Sequence, residues 1–517
     1  MTIDASSLTV IIPTRDRWRI LDRTLAALRA QTVQGFDIVV VVDGDDQSVP
    51  SLGSDVAVVQ VPQGGPGQAR NVGVARATSP LLLFLGDDMI PTPELVERHL
   101  ARHDRDGGPQ VAVLGSVSWH ADVPETSLRR WIDRAGMQFE LAGIDDEAGW
   151  GRFYSCNVSL PRTLFDGAGG FDPVFSYYYE DLDIAYRLRD AGMSLRYEPD
   201  ARAQHLHSYD ATSFETRLRG IAVGEFLLTQ RHEDFAPYFA NRFRAVQGRP
   251  MPSHRWRRAP WSGKRFVDAW LAWFARAYLD AFEAEQELAE LKDYLGPDFD
   301  ELRLRGHQQE VDAEEHAAPD ELTFYRTSTS YLYDLTVFAM SGTKRPYRDE
   351  IMRRIGRGSR LLDYGCGIGS DGLRFLEAGY DVEFLDFDNP SVEYLRWRLA
   401  RRGLEAATHD IEQSKPSGFE LAYCFDVIEH VEDPFAFLAA IESTADLVAI
   451  NFLEPIPGDV HVHKPLPIPE LLDYVTRKGL IHYAVHHHGR SHFVIYHSKR
   501  TDPARRALGR LRRLRSK

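Results

Sequence analysis

Residues 81–89 read Leu-Leu-Leu-Phe-Leu-Gly-Asp-Asp-Met. Five apolar residues followed by a glycine and two acids predict a buried strand of a parallel sheet that ends in a polar turn. In open α/β sheets, ligands bind at the carboxyl ends of the strands. Asp87 and Asp88 at such an end suit a hard divalent cation that carries a diphosphate, because Mg²⁺ prefers a few protein oxygens together with phosphate oxygens.

Three more apolar runs in the same part of the chain also predict strands, and they span residues 8–13, 36–42 and 56–61. Helical patterns alternate with these strands, which indicates a parallel sheet. Polar residues directly follow the first two strands, namely Thr14, Arg15 and Asp43. We therefore expect these side chains and the Asp87–Asp88 pair to meet at one edge of the sheet.

The bulk composition limits the class of protein. A chain of 517 residues exceeds the size of one core, so two or three domains are expected. The formal net charge of −15 argues against nucleic acid as a partner. Three widely separated cysteines predict a reducing compartment without disulfides, and no apolar run has the ~20 residues that span a bilayer. These features predict a cytoplasmic protein.

Five motifs in the first half resemble the inverting GT-A glycosyltransferases of family two. They are Pro-Thr-Arg-Asp-Arg at 13–17, Ala-Arg-Asn-Val-Gly at 69–73, Phe-Leu-Gly-Asp-Asp at 84–88, Gly-Gly-Phe-Asp at 169–172 and Tyr-Glu-Asp-Leu-Asp at 179–183. The resemblance covers about residues 8–235. It implies a nucleotide-binding, Rossmann-like GT-A fold, a nucleotide-sugar donor with Mg²⁺ or Mn²⁺, and a glycan or lipid-linked glycan acceptor.

The same resemblance implies roles for single residues. The implied donor-binding residues are Pro13, Thr14, Arg15, Asp43, Arg70 and Asp87. Asp88 would bind the metal with His205, although a structural histidine is the alternative at that position. Asp181 would be the general base that takes the proton of the acceptor hydroxyl. Gly86 stands where the commonest form of the metal motif has a third acid, which weakens the implied metal dependence.

A separate pattern in the second half indicates a cofactor turn. An apolar run at 360–362 leads into Asp363 and the glycines Gly365, Gly367 and Gly369, and Asp386 follows another strand-like run. Glycines at these positions allow a backbone to approach a ligand closely at the start of a helix. A nicotinamide-dinucleotide domain also satisfies this spacing.

The acid directly before the glycines and the later Phe-Asp-Val-Ile-Glu-His segment at 425–430 resemble the class I S-adenosylmethionine-dependent methyltransferases over about residues 321–497. The resemblance implies that Asp363 and the three glycines surround the methionine part of the cofactor. Asp386 would bind the ribose and Asp410 the adenine edge. Three histidines are candidate bases for methyl transfer to a hydroxyl, and the sequence does not choose between them: His430, His461 and His463.

The predicted organisation is a glycosyltransferase domain at 1–240, a helical connector at 241–320, a methyltransferase domain at 321–497 and a basic amphipathic tail at 498–517. The acidic residues 283–290 of the connector predict a solvated helix surface. The tail suits an anionic membrane surface at the inner face of the cell membrane, and the alternatives are a solvated tail or one that docks on the protein's own acidic surface. The oligomeric state does not follow from the sequence.

These patterns predict a bifunctional enzyme that transfers a sugar with inversion and methylates a hydroxyl, with the same glycan as the expected methyl acceptor. Fusion of the two domains favours a shared acceptor, because it raises the effective concentration of one site for the product of the other. The alternatives are a tailoring enzyme for a small natural product, and a chain in which one domain is degenerate and only binds its ligand.

Overall fold

The computed structural model describes residues 4–44, 49–249, 264–454 and 464–499. These residues divide into two compact units. The first comprises the described residues within Met1–Arg242 and Met251–Tyr278, and the second those within Phe243–Pro250 and Leu279–Lys517. Each unit has its own sheet and its own apolar cores, and each is described by itself below.

Within the described part of the first unit, eight strands form one mixed sheet. They are β1 (Leu8–Thr14), β2 (Asp37–Asp43), β3 (Ala57–Val61), β4 (Leu81–Leu85), β5 (Met89–Pro91), β6 (Val111–Trp119), β7 (Asn157–Pro161) and β8 (Ser194–His205). Their order across the sheet is β3-β2-β1-β4-β7-β6-β8-β5. Strands β3, β2, β1 and β4 are parallel, as the alternating pattern predicts.

The helices begin with α1 (Trp18–Arg29), α2 (Pro66–Arg76), α3 (Leu95–Asp106), α4 (Ser127–Arg134), α5 (Arg162–Gly167), α6 (Glu180–Asp190), α7 (Ala211–Arg231), α8 (Tyr238–Arg244) and α9 (Lys264–Leu295). Strand β4 shows why the sheet is covered on both faces. Leu83 and Leu85 belong to one apolar cluster, whereas Leu82 and Phe84 belong to another. A strand buried on both faces reads as a continuous apolar run, which explains the sequence of residues 81–85.

The second unit contains a seven-stranded sheet among its described residues. The strands are β9 (Arg360–Tyr364), β10 (Asp381–Asp386), β11 (Thr408–Asp410), β12 (Phe419–Cys424), β13 (Ala445–Leu453), β14 (Leu480–His486) and β15 (Ser491–His497). Their order is β11-β10-β9-β12-β13-β15-β14, with β14 and β15 forming an antiparallel hairpin at one edge. The predicted α/β class is confirmed for both units.

The helices of this unit continue with α10 (Glu301–Arg305), α11 (His307–Ala317), α12 (Glu321–Thr327), α13 (Ser330–Met340), α14 (Arg345–Met352), α15 (Ser370–Glu377), α16 (Pro390–Arg401), α17 (Pro434–Glu442) and α18 (Ile468–Gly479). Within the part of the chain that the structure describes, no helix combines the length and apolarity that crossing a membrane requires. The basic tail beyond residue 499 lies outside the described residues.

The prediction for the acidic residues 283–290 is wrong. They do form a helix, as the carboxyl-terminal part of α9, but Glu283, Glu287 and Glu290 are buried and paired with arginines of the second unit. The helical periodicity of the acids resembles that of a solvated face. Their arginine partners lie about 60 to 110 residues further along the chain, so the local sequence does not show that the charges are neutralised.

Gly73 of α2 is a point of close approach between that helix and β1. A Cβ atom at this position would lie 2.4 Å from Cγ2 of Ile11. We expect Gly73→Ala to destabilise the first unit by about 1–3 kcal/mol, because a well-packed core must shift to accept a methyl group. Gly167→Ala is the matched control, since nothing lies within 4 Å of its Cβ position. Chemical unfolding measures the stability of both variants. Equal unfolding midpoints for Gly73→Ala and Gly167→Ala would contradict the close packing at Gly73.

Candidate functional site

A cavity of about 810 Å³ opens in the first unit at the carboxyl edge of the parallel strands. Every residue that the sequence analysis proposed for the donor, the metal and the base of sugar transfer lines it: Pro13, Thr14, Arg15, Asp43, Arg70, Asp87, Asp88, Asp181 and His205. They come from segments as distant in the sequence as Pro13 and His205. The adjacency of β2, β1 and β4 brings Thr14, Asp43 and Asp87 together.

Asp87 and Asp88 are buried in the turn after β4 and receive hydrogen bonds from the last residue of β1 and from the turn that follows it. Thr14 Oγ1 donates to Asp87 Oδ2 at 2.8 Å, and the Arg17 guanidinium donates to both acids, with Nη1 2.7 Å from Asp88 Oδ2. Burial and the charge of Asp88 raise the pKa of Asp87 to about 7, against the opposing effect of Arg17. A carboxylate pair in this environment therefore needs a cation beside it.

His205 reaches Asp88 because of strand pairing. β5 starts directly after Asp88 and pairs antiparallel with β8, which sets Met89 opposite His205. His205 Nε2 lies 3.5 Å from Asp88 Oδ2. Burial by itself would raise the pKa of Asp88, but the hydrogen bond and charge of His205, together with Arg17, outweigh burial and hold this pKa below its usual range.

The described residues contain no group of three or more His, Cys, Asp or Glu side chains placed to hold a metal ion. Asp88 and His205 supply one carboxylate and one imidazole to a cavity large enough for a nucleotide. This pair fits a divalent cation that takes its remaining ligands from a diphosphate and water, which is how Mg²⁺ binds in many phosphate-transferring sites.

Asp43, at the end of β2, holds the glycine-rich turn that precedes α2. Its carboxylate accepts hydrogen bonds from the backbone nitrogens of Gly64, at 2.7 Å, and Gly65, at 3.1 and 3.2 Å. Arg70 of α2 pairs with Glu180 through Nη1 and Oε1 at 3.1 Å, and both side chains are buried. Arg70 thus connects α2 to the segment that carries Asp181.

Asp181 lies in the first turn of α6 and lines the cavity that contains Asp88. The two residues directly before α6, Tyr178 and Tyr179, adopt left-handed backbone conformations with φ of 63° and 69°. Non-glycine residues rarely accept this conformation unless the surrounding structure holds them there. Burial and, to a smaller extent, Glu180 raise the pKa of Asp181 to about 7, and Arg70 opposes them.

Buried Glu225 of α7 stabilises this turn through hydrogen bonds. Its carboxylate accepts hydrogen bonds from the Tyr179 hydroxyl at 2.8 Å, from the Tyr278 hydroxyl, and from the backbone nitrogens of Phe239 and Ala240 at 2.9 and 2.8 Å. The sequence analysis missed Glu225 and also Arg17. The need of the Asp87–Asp88 pair for a cation pointed to an arginine such as Arg17, whereas nothing local marked Glu225.

In the second unit the strand ends also carry the predicted ligand-binding residues. Asp386 and Asp410 are direct partners in the parallel pairing of β10 with β11. Gly365, Gly367 and Gly369 all have positive φ, of 74°, 51° and 71°, in the turn between β9 and α15. A Cβ at Gly369 would lie 2.3 Å from Leu395, so this turn requires glycine for space as well as for conformation.

Asp386 holds this glycine turn through its side chain. Its Oδ2 accepts a hydrogen bond from the Gly367 nitrogen at 2.7 Å. Asp363, before the turn, is buried, and burial together with the charge of Asp371 raises its pKa to about 8. Asp410 accepts hydrogen bonds from the Glu412 nitrogen and the Gln413 side chain.

Of the three candidate bases for methyl transfer, the structure describes only His430. His430 closes a short 3₁₀ turn after β12, and its Nδ1 lies 3.0 Å from the hydroxyl of Tyr325 on α12. His461 and His463 lie outside the described residues. Their role stays a prediction.

Comparison with protein families supports both halves of the interpretation. Residues 9–165 match the family model described as glycosyl transferase family 2, and residues 340–466 match the model described as a methyltransferase domain. The chain therefore carries a family 2 glycosyltransferase domain followed by a methyltransferase domain. The second match decides between the two interpretations of the glycine pattern in favour of a methyltransferase.

Curated relatives match either half of the chain. Validoxylamine A glucosyltransferase of Streptomyces hygroscopicus subsp. jinggangensis is 31% identical over 241 residues, 40% of this chain and 57% of that protein. The succinoglycan biosynthesis protein ExoW of Rhizobium meliloti is 35% identical over 184 residues, 31% and 57% of the two chains. Ubiquinone biosynthesis O-methyltransferase of Paraburkholderia phymatum is 29% identical over 126 residues, 21% and 54%. The chain thus spans little more than half the length of each.

The raised pKa of Asp181 predicts a pH dependence of stability. A carboxyl group whose pKa rises from 3.8 to about 7 on folding binds its proton more tightly in the folded state, so its contribution to stability is lost as the pH rises from about 4 to 7. We expect Asp181→Asn to reduce this fall in the free energy of unfolding, measured by denaturant titrations across that range. Asp166→Asn, on the exposed surface of α5, should keep the wild-type dependence of this free energy on pH. The same dependence in Asp181→Asn would contradict a raised pKa of Asp181.

Proposed function

We propose that the first unit transfers a sugar from a nucleotide donor to a hydroxyl acceptor with inversion, and that the second unit methylates a hydroxyl with S-adenosylmethionine. The observation that carries the first half is the convergence of Asp43, Asp88, His205 and Asp181 on one cavity. The observation that carries the second half is the glycine turn beside Asp386, within a domain that matches methyltransferases.

The proposed sugar transfer divides the cavity between two tasks. Asp88 and His205 would hold a divalent cation, which when bound offsets the negative charge on the leaving diphosphate. Asp181 would accept the proton of the acceptor hydroxyl while that oxygen attacks the anomeric carbon from the face opposite the diphosphate. A pKa of about 7 suits this role, because a general base works best when its pKa lies near the working pH.

The rim of the cavity favours a sugar-like acceptor. Tyr177 and Tyr238 line it with 43% and 55% of their surfaces exposed, and Trp150 lies on the same wall. Aromatic rings with one apolar face and one polar tip suit ligands that are partly apolar and partly hydroxylated. A glycan or lipid-linked glycan acceptor follows, in agreement with the name of the succinoglycan protein among the relatives.

A small natural product is the second candidate acceptor. It is favoured by the validoxylamine A glucosyltransferase, whose name specifies a small-molecule acceptor and which matches 241 residues of this chain. The two candidates differ in the acceptor and share the same donor chemistry. The predicted cytoplasmic location and membrane contact of the basic tail stay predictions.

The proposed methyl transfer depends on alignment more than on acid–base chemistry. Asp386 would accept hydrogen bonds from the ribose hydroxyls, and the turn from Gly365 to Gly369 would surround the methionine part of the cofactor. Alignment of the acceptor oxygen with the methyl group supplies most of the rate in reactions of this kind. Since one chain carries both domains, an acceptor that leaves one site meets the other at a raised effective concentration.

We expect Asp181→Asn to lower the rate of donor turnover by about 10²–10⁴-fold, the usual contribution of a general base. The measurement is hydrolysis of a panel of nucleotide sugars with Mn²⁺, in which water replaces the acceptor. Nucleotide affinity by calorimetry should change less than about twofold. Asp190→Asn, at the exposed end of the same helix, is the control. If Asp181→Asn lost nucleotide affinity and turnover to the same extent, Asp181 would not be the general base. If the wild-type protein bound nucleotide without turning it over, the first unit would be a binding module.

We expect Asp386→Ala to weaken binding of S-adenosylhomocysteine by at least about tenfold, because hydrogen bonds to a charged group contribute about 1.5–3 kcal/mol each. Calorimetric titration measures the change. Asp388→Ala removes an exposed acid from the same loop, where it pairs with Arg396, and should leave the affinity unaltered. Equal affinities of wild type and Asp386→Ala would reject the assignment of the cofactor site.

A further inference from the structure

The carboxyl-terminal part of α9, within the second unit, carries a row of buried acids. Asp280, Glu283, Glu287 and Glu290 are spaced three and four residues apart, which places them on one face of the helix. Their side chains are between 2% and 12% exposed. Five buried arginines from α14, α15 and the end of α16 face them: Arg345, Arg348, Arg374, Arg398 and Arg402.

One arginine of this network also contacts the cofactor turn. Arg398 is fully buried, and its Nε and Nη2 donate to Glu290 and Glu287 at 2.7 and 2.6 Å. Its Nη1 donates to the backbone oxygen of Ile368 and to the hydroxyl of Ser370, both at 2.9 Å. The Ser370 hydroxyl in turn donates to Glu287 Oε2 at 2.9 Å.

These bonds hold the turn on both sides of Gly369. A turn that contains three glycines with positive φ has many backbone states available when nothing restrains it. When the turn is already restrained, less of its conformational entropy is lost when a ligand binds, so binding is tighter. The Arg398 guanidinium is suited to this restraint, since its planar fork bonds two carboxylates, a carbonyl and a hydroxyl at the same time.

We propose that Glu287 and Arg398 are positioning residues for the cofactor, and that the part of α9 from Leu279 onward therefore belongs functionally to the methyltransferase site. The proposal rests on the proposed methyltransferase function. It makes the residues before 321 part of the machinery that binds S-adenosylmethionine, whereas the sequence pattern assigned them to a connector.

Other acids on the same helix separate positioning from a merely structural role. Asp280 belongs to the same buried row, but its salt bridge is with Arg345 of α14, whereas Glu287 pairs with Arg398. Asp293 pairs with Arg401 on the exposed surface of the same two helices that Glu287 and Arg398 connect. Asp280→Asn therefore removes a buried charge about two helical turns before Glu287, and Asp293→Asn removes an exposed one.

The test uses the full chain and the variants Glu287→Gln, Arg398→Lys, Asp280→Asn and Asp293→Asn. Calorimetry gives the dissociation constant of S-adenosylhomocysteine, thermal unfolding gives the stability, and amide hydrogen exchange without ligand reports the opening of residues 365–371. We expect Glu287→Gln and Arg398→Lys to weaken binding by about tenfold and to accelerate exchange in the turn. Lysine keeps the positive charge, but its single ammonium group does not replace the guanidinium fork.

Asp280→Asn should lower the unfolding temperature while it leaves both the dissociation constant and exchange in the turn close to wild type, and Asp293→Asn should change none of the three. The proposal is overturned if Glu287→Gln and Asp280→Asn weaken binding equally, in step with lost stability. It is also overturned if Glu287→Gln leaves exchange in the turn unchanged. Failure of the wild type to bind S-adenosylhomocysteine would reject the proposed function instead, and the ligand-free exchange comparison would still decide whether Glu287 positions the turn.

Discussion

Buried charge at the ends of parallel strands is the constraint on which the rest of this structure depends. A carboxylate removed from water is stable only with a cation or hydrogen-bond donors beside it. In the first unit Arg17, Thr14 and His205 supply them to Asp87 and Asp88. In the second unit, the backbone nitrogens of Gly367 in the glycine turn and of Phe387 donate hydrogen bonds to Asp386. The same groups that satisfy these acids also fix the shape of each candidate site.

The two units use different groups to stabilise the turns at their candidate sites. The first holds its site with side chains that are distant in sequence, such as Glu225, which restrains Tyr179 before the turn of Asp181. The second holds its glycine turn between Asp386 on one side and Arg398 on the other. In both cases a buried acid on a helix helps to stabilise a turn, Glu225 by a direct hydrogen bond to Tyr179 and Glu287 through Arg398. Such support is needed because left-handed residues and glycines do not fix a turn by their own preferences.

Helix α9 contributes residues to both units. Its part up to Tyr278 belongs to the first unit, where the Tyr278 hydroxyl donates to Glu225, and its part from Leu279 belongs to the second, where its acids pair with arginines. A single helix therefore carries aromatic side chains for the first unit, where Phe274 packs against Trp131, and an acidic face for the second. This division explains why the segment has neither the composition of a linker nor that of an ordinary amphipathic helix.

The sequence by itself determined the α/β class, the strands from β1 to β4, the glycine turn and the residues that gather at the strand ends. These features depend on local patterns: continuous apolar runs for buried strands, glycines where the backbone turns, and acids directly after strands. Only the tertiary structure decided which charges neutralise one another, and with them the roles of Arg17, Glu225 and the acidic face of α9. The physical reason is that the energy of a buried charge depends on its neighbours in space, and for Glu287 and Arg398 those neighbours are 111 residues apart in the chain.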